Sequence, residues 1–186
     1  MLNAISLSRP AARPLRAALL ALGGSLAIAA SAQVQVPLQP VPMTLQSLVV
    51  LLVGMAYGPR LGAATLALYL AEGLVGLPVF AGFKAGPAAL LGPTGGYLLG
   101  FLPAAALAGA LAARGWGQGW ARGAATLALG HAVILAAGVS WLAVLAGPAV
   151  AVSAGLLPFL PGTAVKVALG ATLLAALRRR GAEAGR

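Results

Sequence analysis

Few residues of this chain could carry out chemistry. Its 186 residues include one histidine, His131, two acidic residues, Glu72 and Glu183, and no cysteine. Enzymes that modify lipids or cut peptides need paired carboxylates, an activated nucleophile or several metal ligands. The sequence therefore predicts no metal site and no catalytic residues. An intramembrane enzyme is kept only as an alternative hypothesis, together with a small structural membrane subunit.

Two ionisable residues interrupt segments that are otherwise suited to lipid, namely Glu72 and Lys166. A charge inside a membrane is costly, so it normally faces a cavity, a partner or another charge. Lys166 could bind an anionic ligand group or pair with Glu72 at a similar depth. We favour the ligand role for Lys166 and the structural pair for Glu72. Because Lys166 follows a Pro- and Gly-containing break at 158–162, we expect it in the first turn of its helix, where free N–H groups also favour an anion.

Aromatic and imidazole side chains supply the other candidates. Tyr69, Phe80 and Tyr97 could form apolar walls for a ligand, although packing in the core explains them equally well. His131 is more typical of a hydrogen-bonded packing residue than of a catalytic one. The turn at 92–96 resembles a phosphate loop, but the Lys-Ser/Thr pair of a nucleotide site is missing, so we expect no nucleotide there.

These candidates depend on an unusual segment, 73–101, which is apolar yet rich in glycine and proline. Pro78, Pro87 and Pro93 each lack a backbone donor, so a regular helix does not fit the first part of the segment. Irregular backbone is tolerated at membrane depth only where protein buries it or where it lines a polar cavity. The segment therefore predicts the wall or lid of a binding site.

The elements that must position these residues are membrane helices. The chain is 61% hydrophobic and 8% charged, with a mean hydropathy of +0.99, which is typical of an integral membrane protein. We predict a single all-α membrane domain with six transmembrane helices and irregular Gly/Pro-rich outer loops. The helices are expected at 15–32, 45–57, 61–76, 96–113, 123–146 and 162–177.

The first apolar run has two interpretations. Its arginines and the sequence Ala30-Ser31-Ala32 resemble a cleavable signal peptide. We favour a retained helix, because small residues recur at every fourth position, which would let another helix approach closely. Ala17 and Ala21 of this stripe are therefore predicted to dock a partner helix.

The basic residues indicate topology. A net charge of +10 would suggest nucleic acid in a soluble protein, but here the charges lie between apolar runs, so we expect no nucleic acid partner. If both termini are cytoplasmic, every arginine is cytoplasmic, in agreement with the positive-inside rule. We therefore expect a multi-pass protein of the bacterial cytoplasmic membrane whose loops 33–44, 77–95 and 147–162 face outward.

Four stretches resemble one known family. They are VPMTLQSLVVLLVGMAYGPRLG (41–62), GLPVFAG (76–82), LLGPTGGYLLGF (90–101) and LPGTAVK (160–166). They resemble BioY proteins, the biotin-binding substrate (S) components of energy-coupling-factor (ECF) vitamin transporters. The resemblance implies six membrane helices that capture biotin from outside. It also implies a membrane coupling protein and an ATPase pair as partners, or a protein that acts alone or by self-association.

The resemblance implies a high-affinity biotin site without a cofactor. Two positions depart from the family pattern: Thr163 stands where an aspartate is common, and Phe83-Lys84 where a small residue is common. Thr163 can donate and accept a hydrogen bond but brings no charge. The predicted ligand-binding residues are Tyr69, Glu72, Phe80, Thr94, Gly95, Tyr97, Thr163 and Lys166.

The topology can be tested by cysteine labelling, because the chain has no cysteine of its own. In intact cells, an impermeant maleimide should label Gln39→Cys and should label Arg114→Cys only after permeabilisation. Labelling of Arg114→Cys but not of Gln39→Cys in intact cells would reverse the predicted orientation.

Overall fold

A computed structural model describes residues 12–183 of the chain. The main helices are α1 (Ala12–Ala32), α2 (Gln46–Leu74), α4 (Gly95–Leu111), α5 (Trp120–Ala146) and α7 (Phe159–Glu183). Shorter elements join them: strands β1 (Gln35–Val36) and β2 (Met43–Thr44), and helices α3 (Pro87–Leu91) and α6 (Pro148–Val150). Within this part of the chain, five helices are long and apolar enough to cross a membrane.

Helix α2 is folded into a hairpin. Its backbone leaves helical geometry at Gly58, with φ 80° and ψ 174°, immediately before Pro59. Nε2 of Gln46 lies 2.7 Å from the hydroxyl of Tyr69, whereas a straight helix would separate these residues by roughly 34 Å. The two halves, α2a (46–57) and α2b (59–74), are therefore antiparallel. The six-helix, all-α membrane architecture is thus confirmed.

The last helix begins earlier than the sequence indicated. Helix α7 starts at Phe159 rather than at residue 162, because Pro161 falls in the first turn, where a missing N–H costs no helical hydrogen bond. Lys166 consequently lies two turns into the helix. The expectation that it lies in the first turn, close to free backbone N–H groups, is wrong.

The irregular connections at one end of the bundle carry local structure. In the connection 33–44, β1 and β2 pair in antiparallel fashion, Gln35 with Thr44 and Val36 with Met43. The connection 75–94 contains a 3-10 turn at Ala81–Phe83 and helix α3. The connection 147–158 contains α6 and a short π-helix, Ala151–Leu156.

The opposite end of the bundle carries arginine. Arg60 follows the α2 turn, Arg114 lies in a short π-helical segment, and Arg122 is in the first turn of α5. The guanidinium of Arg178 near the end of α7 lies beside Gly117. If the positive-inside rule holds, this end faces the cytoplasm.

Helices pack closely through small residues in the centre of the bundle. A Cβ atom added at Gly54 of α2a would lie 2.4 Å from the carbonyl oxygen of Ala105 in α4. Ala104, Ala105 and Ala108 are fully buried. Large leucines instead point outward, as on α1, where Leu15, Leu19 and Leu26 are at least 60% exposed. This distribution suits a protein surrounded by lipid, in which small residues permit close helix contact.

The small-residue stripe of α1 packs against the chain itself. Ala21 and Ser25 are buried, and the Ser25 hydroxyl donates a hydrogen bond to the Glu72 carboxylate of α2b. Ala17 is half-buried on the same side. The docking of a partner helix at Ala17 and Ala21 stays a prediction, with Ala21 buried and Ala17 half-buried in the isolated chain.

Matched glycine substitutions test the contact between α2a and α4. Both Gly54→Ala and Gly23→Ala should gain helix propensity, by up to ~1 kcal/mol. Only the Cβ at position 54 meets neighbouring backbone, whereas nothing lies within 4 Å of a Cβ at Gly23. We expect Gly54→Ala to lose about 1 to 3 kcal/mol from overpacking, measured as a lower melting temperature in detergent, while Gly23→Ala melts at or above the wild-type temperature. Equal melting temperatures would contradict the close contact.

Candidate functional site

A cavity lies among α2a, α4, α5 and α7, beneath the connections 33–44 and 75–94. Together with its open mouth, it comprises about 720 Å³ of atom-free space. Most of its wall is apolar. The larger apolar side chains that line it are Phe80, Leu98, Phe101, Ile134, Leu135 and Phe159.

Polar groups converge on the same cavity from several helices. Gln46 and Ser47 come from the start of α2a, His131 from α5, and Thr163 and Lys166 from α7. Thr44, Lys84, Thr94 and Tyr97 complete the polar lining. An apolar pocket with a few converging polar groups is typical of a site that binds and orients a small molecule.

Lys166 is the buried cation of the site. Its side chain is 9% exposed, and Nζ donates a hydrogen bond of 3.0 Å to the hydroxyl of Ser47. The expected pair with Glu72 is not formed, because Glu72 accepts its hydrogen bond from Ser25. Among the described residues, no acidic side chain lines the cavity. A buried ammonium group whose protein partners are all neutral is stabilised by an additional hydrogen bond to an oxygen atom of the ligand.

His131 also belongs to the cavity wall, which the sequence did not predict. The ring is 2% exposed, and Nδ1 lies 2.9 Å from the carbonyl oxygen of Leu127. Nε2 has no hydrogen-bond partner within the described part of the chain. The sequence holds one signal for this position: His131 shares a helical face with Leu127, Ile134 and Gly138, all of which are buried.

Five of the eight predicted ligand-binding residues line the cavity. They are Phe80, Thr94, Tyr97, Thr163 and Lys166. Glu72 is bonded to α1 instead, and Gly95 packs where a Cβ would lie 1.7 Å from the carbonyl oxygen of Leu90. Sequence reasoning also missed Gln46 and Ser47, although two polar residues opening an apolar helix are a signal in themselves.

Tyr69, the remaining predicted residue, lies directly behind residues that line the cavity. It is fully buried; its hydroxyl accepts a 2.7 Å hydrogen bond from Gln46 and donates a 3.0 Å bond to the carbonyl of Val79. Its ring meets that of Phe80 edge to face, with centroids 5.6 Å apart. Tyr69 therefore positions two lining residues, Gln46 and Phe80.

The irregular segment forms part of the wall and mouth of the cavity, as its composition indicated. Side chains of neighbouring elements hold it in place. Gln33 Nε2 donates to the carbonyl of Phe80 while its Oε1 accepts from the N–H of Phe83. Trp141 of α5 donates a 2.9 Å hydrogen bond to the carbonyl of Gly92. These hydrogen bonds connect the segment to α5 and to the residue that follows α1.

Lys84 marks the outer end of the cavity. It is exposed, and it lines both the cavity and a second, more open depression. Ala89 and Thr94 are likewise shared by the two. Lys166, in contrast, is buried. The site thus offers two cations at different depths.

The groups around the cavity are suited to binding a small molecule. No group of three or more potential metal ligands occurs within the described residues, and His131 lies against a carbonyl rather than against a nucleophile. The chemistry present is that of hydrogen bonding, apolar contact and attraction for an anion or a polar oxygen.

Comparisons with known proteins agree on one family. A profile described as the BioY family matches residues 4–183. A probable biotin transporter BioY from Pyrococcus horikoshii is 42% identical over 137 residues, which cover 74% of this chain and 80% of that protein. A second, from Rickettsia prowazekii, is 32% identical over 83% of this chain and 79% of that protein.

A solved structure resembles the fold. It is the crystal structure at 2.1 Å of the S-component for biotin from an ECF-type ABC transporter. The two structures superpose with a TM-score of 0.79 at 25% sequence identity, over 92% of this chain and 95% of that one.

The role of Tyr69 can be tested by removing its hydroxyl. Tyr69→Phe leaves the buried Gln46 amide and the Val79 carbonyl without this partner, which should cost about 1 to 3 kcal/mol. Tyr57→Phe is the control, because the Tyr57 hydroxyl has no hydrogen bond to the described residues. We expect a lower melting temperature in detergent for Tyr69→Phe alone. Equal melting of both variants and the wild type would show that the buried network is not formed.

Proposed function

The chain belongs to the BioY family, and on this premise we propose that it captures biotin with high affinity for uptake across the bacterial cytoplasmic membrane. BioY proteins are transporter components, so the alternatives of an intramembrane enzyme and of a structural subunit are set aside. The observation that carries the proposal is the cavity between the helices, in which polar groups converge on an apolar pocket around Lys166.

The chemistry of the cavity suits biotin. The vitamin combines a polar ureido group, an apolar bicyclic ring and a valerate chain that ends in a carboxylate. Phe80, Phe101 and Phe159 offer apolar surface for the ring. Hydroxyl, amide, imidazole and ammonium groups of the lining offer partners for the two polar ends. Such a site needs no cofactor.

Lys166 is proposed as a direct ligand contact. Its ammonium group is buried and has only the Ser47 hydroxyl as a hydrogen-bond partner among the described residues. A ligand oxygen would supply a second partner without further desolvation of the protein. The sequence suggests that this oxygen belongs to the valerate carboxylate. Because Lys84 offers another cation at the mouth, that assignment stays a prediction.

Access from outside follows from the proposed orientation. The cavity lies towards the end of the bundle that carries the irregular connections, whereas the arginines of the described residues lie at the other end or, for Arg16, near the start of α1. With the arginine end in the cytoplasm, both termini are cytoplasmic and the mouth faces outward. The protein would then collect its ligand before any step that moves it across the membrane.

Energy for transport would come from partners. Because the sequence lacks the Lys-Ser/Thr pair of a nucleotide loop, ATP-driven uptake requires a membrane coupling protein and an ATPase pair. The similarity to an ECF S-component supports such partners. The alternative is that the chain acts alone or by self-association. Biotin uptake into proteoliposomes that contain only this chain decides between them.

The proposed function predicts measurable binding. Purified protein in detergent should bind biotin, and Lys166→Ala should weaken binding by about 2 to 4 kcal/mol, the range for removing one partner of a buried charged contact. Glu72→Gln is the matched control, because it also removes a charge at membrane depth but lies outside the cavity.

Calorimetry or equilibrium binding of labelled biotin provides the measurement. We expect wild type and Glu72→Gln to bind alike. Absence of binding to the wild type would refute the function. Unchanged binding by Lys166→Ala would withdraw Lys166 as a contact but leave the function in place.

A further inference from the structure

We propose that Nε2 of His131 accepts a hydrogen bond from a ureido N–H of the ligand, and that His131 thereby contributes to selection of the ureido ring. This inference rests on the proposed function, because it takes biotin as the ligand. It begins from one observation: within the described residues, Nε2 is a buried side-chain polar atom without a hydrogen-bond partner.

Burial makes this atom informative. His131 is 2% exposed and lines the cavity. A buried polar group that lacks a hydrogen bond destabilises the protein, so most such groups are satisfied. An apolar residue of similar shape would avoid the cost. The position therefore fits a group that gains its partner from the contents of the cavity.

The other ring nitrogen determines what that partner must be. Nδ1 lies 2.9 Å from the carbonyl oxygen of Leu127, and a carbonyl oxygen can only accept a hydrogen bond. Nδ1 therefore carries the proton, and Nε2 of the neutral ring is an acceptor. A site that already buries Lys166 and has no acidic lining residue favours the neutral ring. Nε2 thus requires a donor.

Biotin supplies that donor at one place only. Its ureido group carries two N–H groups, whereas its carboxylate at neutral pH, its ring sulfur and its ureido oxygen donate no hydrogen bond. The nearby donors bond elsewhere and not to Nε2 of His131, because Gln46 Nε2 donates to Tyr69 and Lys166 donates to Ser47. The acceptor at His131 and the ureido N–H are therefore complementary.

The single histidine permits a direct test. Protein labelled with ¹⁵N-histidine and purified without a histidine tag gives ring signals from His131 alone, because the chain has one histidine. In the free protein we expect Nδ1 to carry the proton and Nε2 to be bare. Biotin should shift the bare Nε2 signal towards the position of a hydrogen-bonded nitrogen. A protonated Nε2, or an Nε2 signal that saturating biotin leaves unmoved, would overturn the inference.

Affinity measurements give a second, independent readout. Removal of the acceptor in His131→Leu should weaken biotin binding about tenfold, as expected for one hydrogen bond left unmade. Of the two biotin analogues that carry a methyl group on one ureido nitrogen, at least one should bind the wild type much more weakly than biotin does. That difference should largely vanish in His131→Leu. If the analogue penalty is the same in both proteins, His131 does not contact the ureido group.

The outcomes separate this inference from the proposed function. If the wild type binds no biotin, the proposed function fails whatever the state of His131. If the wild type binds biotin while Nε2 stays unmoved, only the inference fails. Should His131→Leu not fold, the nitrogen signals of the wild type with biotin and with each N-methyl analogue still decide the question.

Discussion

The structure depends on one constraint: backbone outside regular helices must find hydrogen-bond partners within the protein where lipid surrounds it. Four hydrogen bonds meet this need by joining a side chain to a carbonyl of an irregular connection. They run from Gln33 to Phe80, from Tyr69 to Val79, from Trp141 to Gly92 and from Tyr97 to Gly155. Satisfying these carbonyls also fixes the cavity wall, because Phe80 and Tyr97 line it. Stability of the loops and shape of the site thus have the same origin.

The charge of the cavity depends on where the fold places its two ionisable residues at membrane depth, Lys166 and Glu72. Lys166 is held by a neutral hydroxyl, and the only acidic side chain described near membrane depth, Glu72, is engaged by Ser25 on the far side of α2b. An internal ion pair at the site would have to be broken before an anion or a polar oxygen could bind. By keeping the two charges apart, the fold leaves the ammonium group available to a ligand.

The composition and the positions of glycine and proline predicted the architecture, because membrane helices are long, uniform and apolar. The same features marked the irregular wall and Lys166, whereas Thr163 was predicted from the resemblance to the BioY family. These sequence features could not predict which side of each helix faces the cavity. In α1, Ser25 of the small-residue stripe bonds to α2b, and in α5 the packing face of His131 is also the cavity wall. Pro161 looked like a break, yet a first helical turn tolerates it. Each difference arises from tertiary packing, which no local pattern reports.

The hairpin in α2 has a consequence for how the protein enters a membrane during synthesis. Segment 46–57 is roughly 18 Å long and 59–74 roughly 24 Å, both shorter than a bilayer core of ~30 Å. Neither segment is a strong candidate for insertion by itself, and the close glycine contacts at Gly54 and Gly62 hold the two together. The pair should therefore partition into lipid as one unit. The bilayer should also thin beside it, so that lipid thickness becomes a variable to which this chain responds.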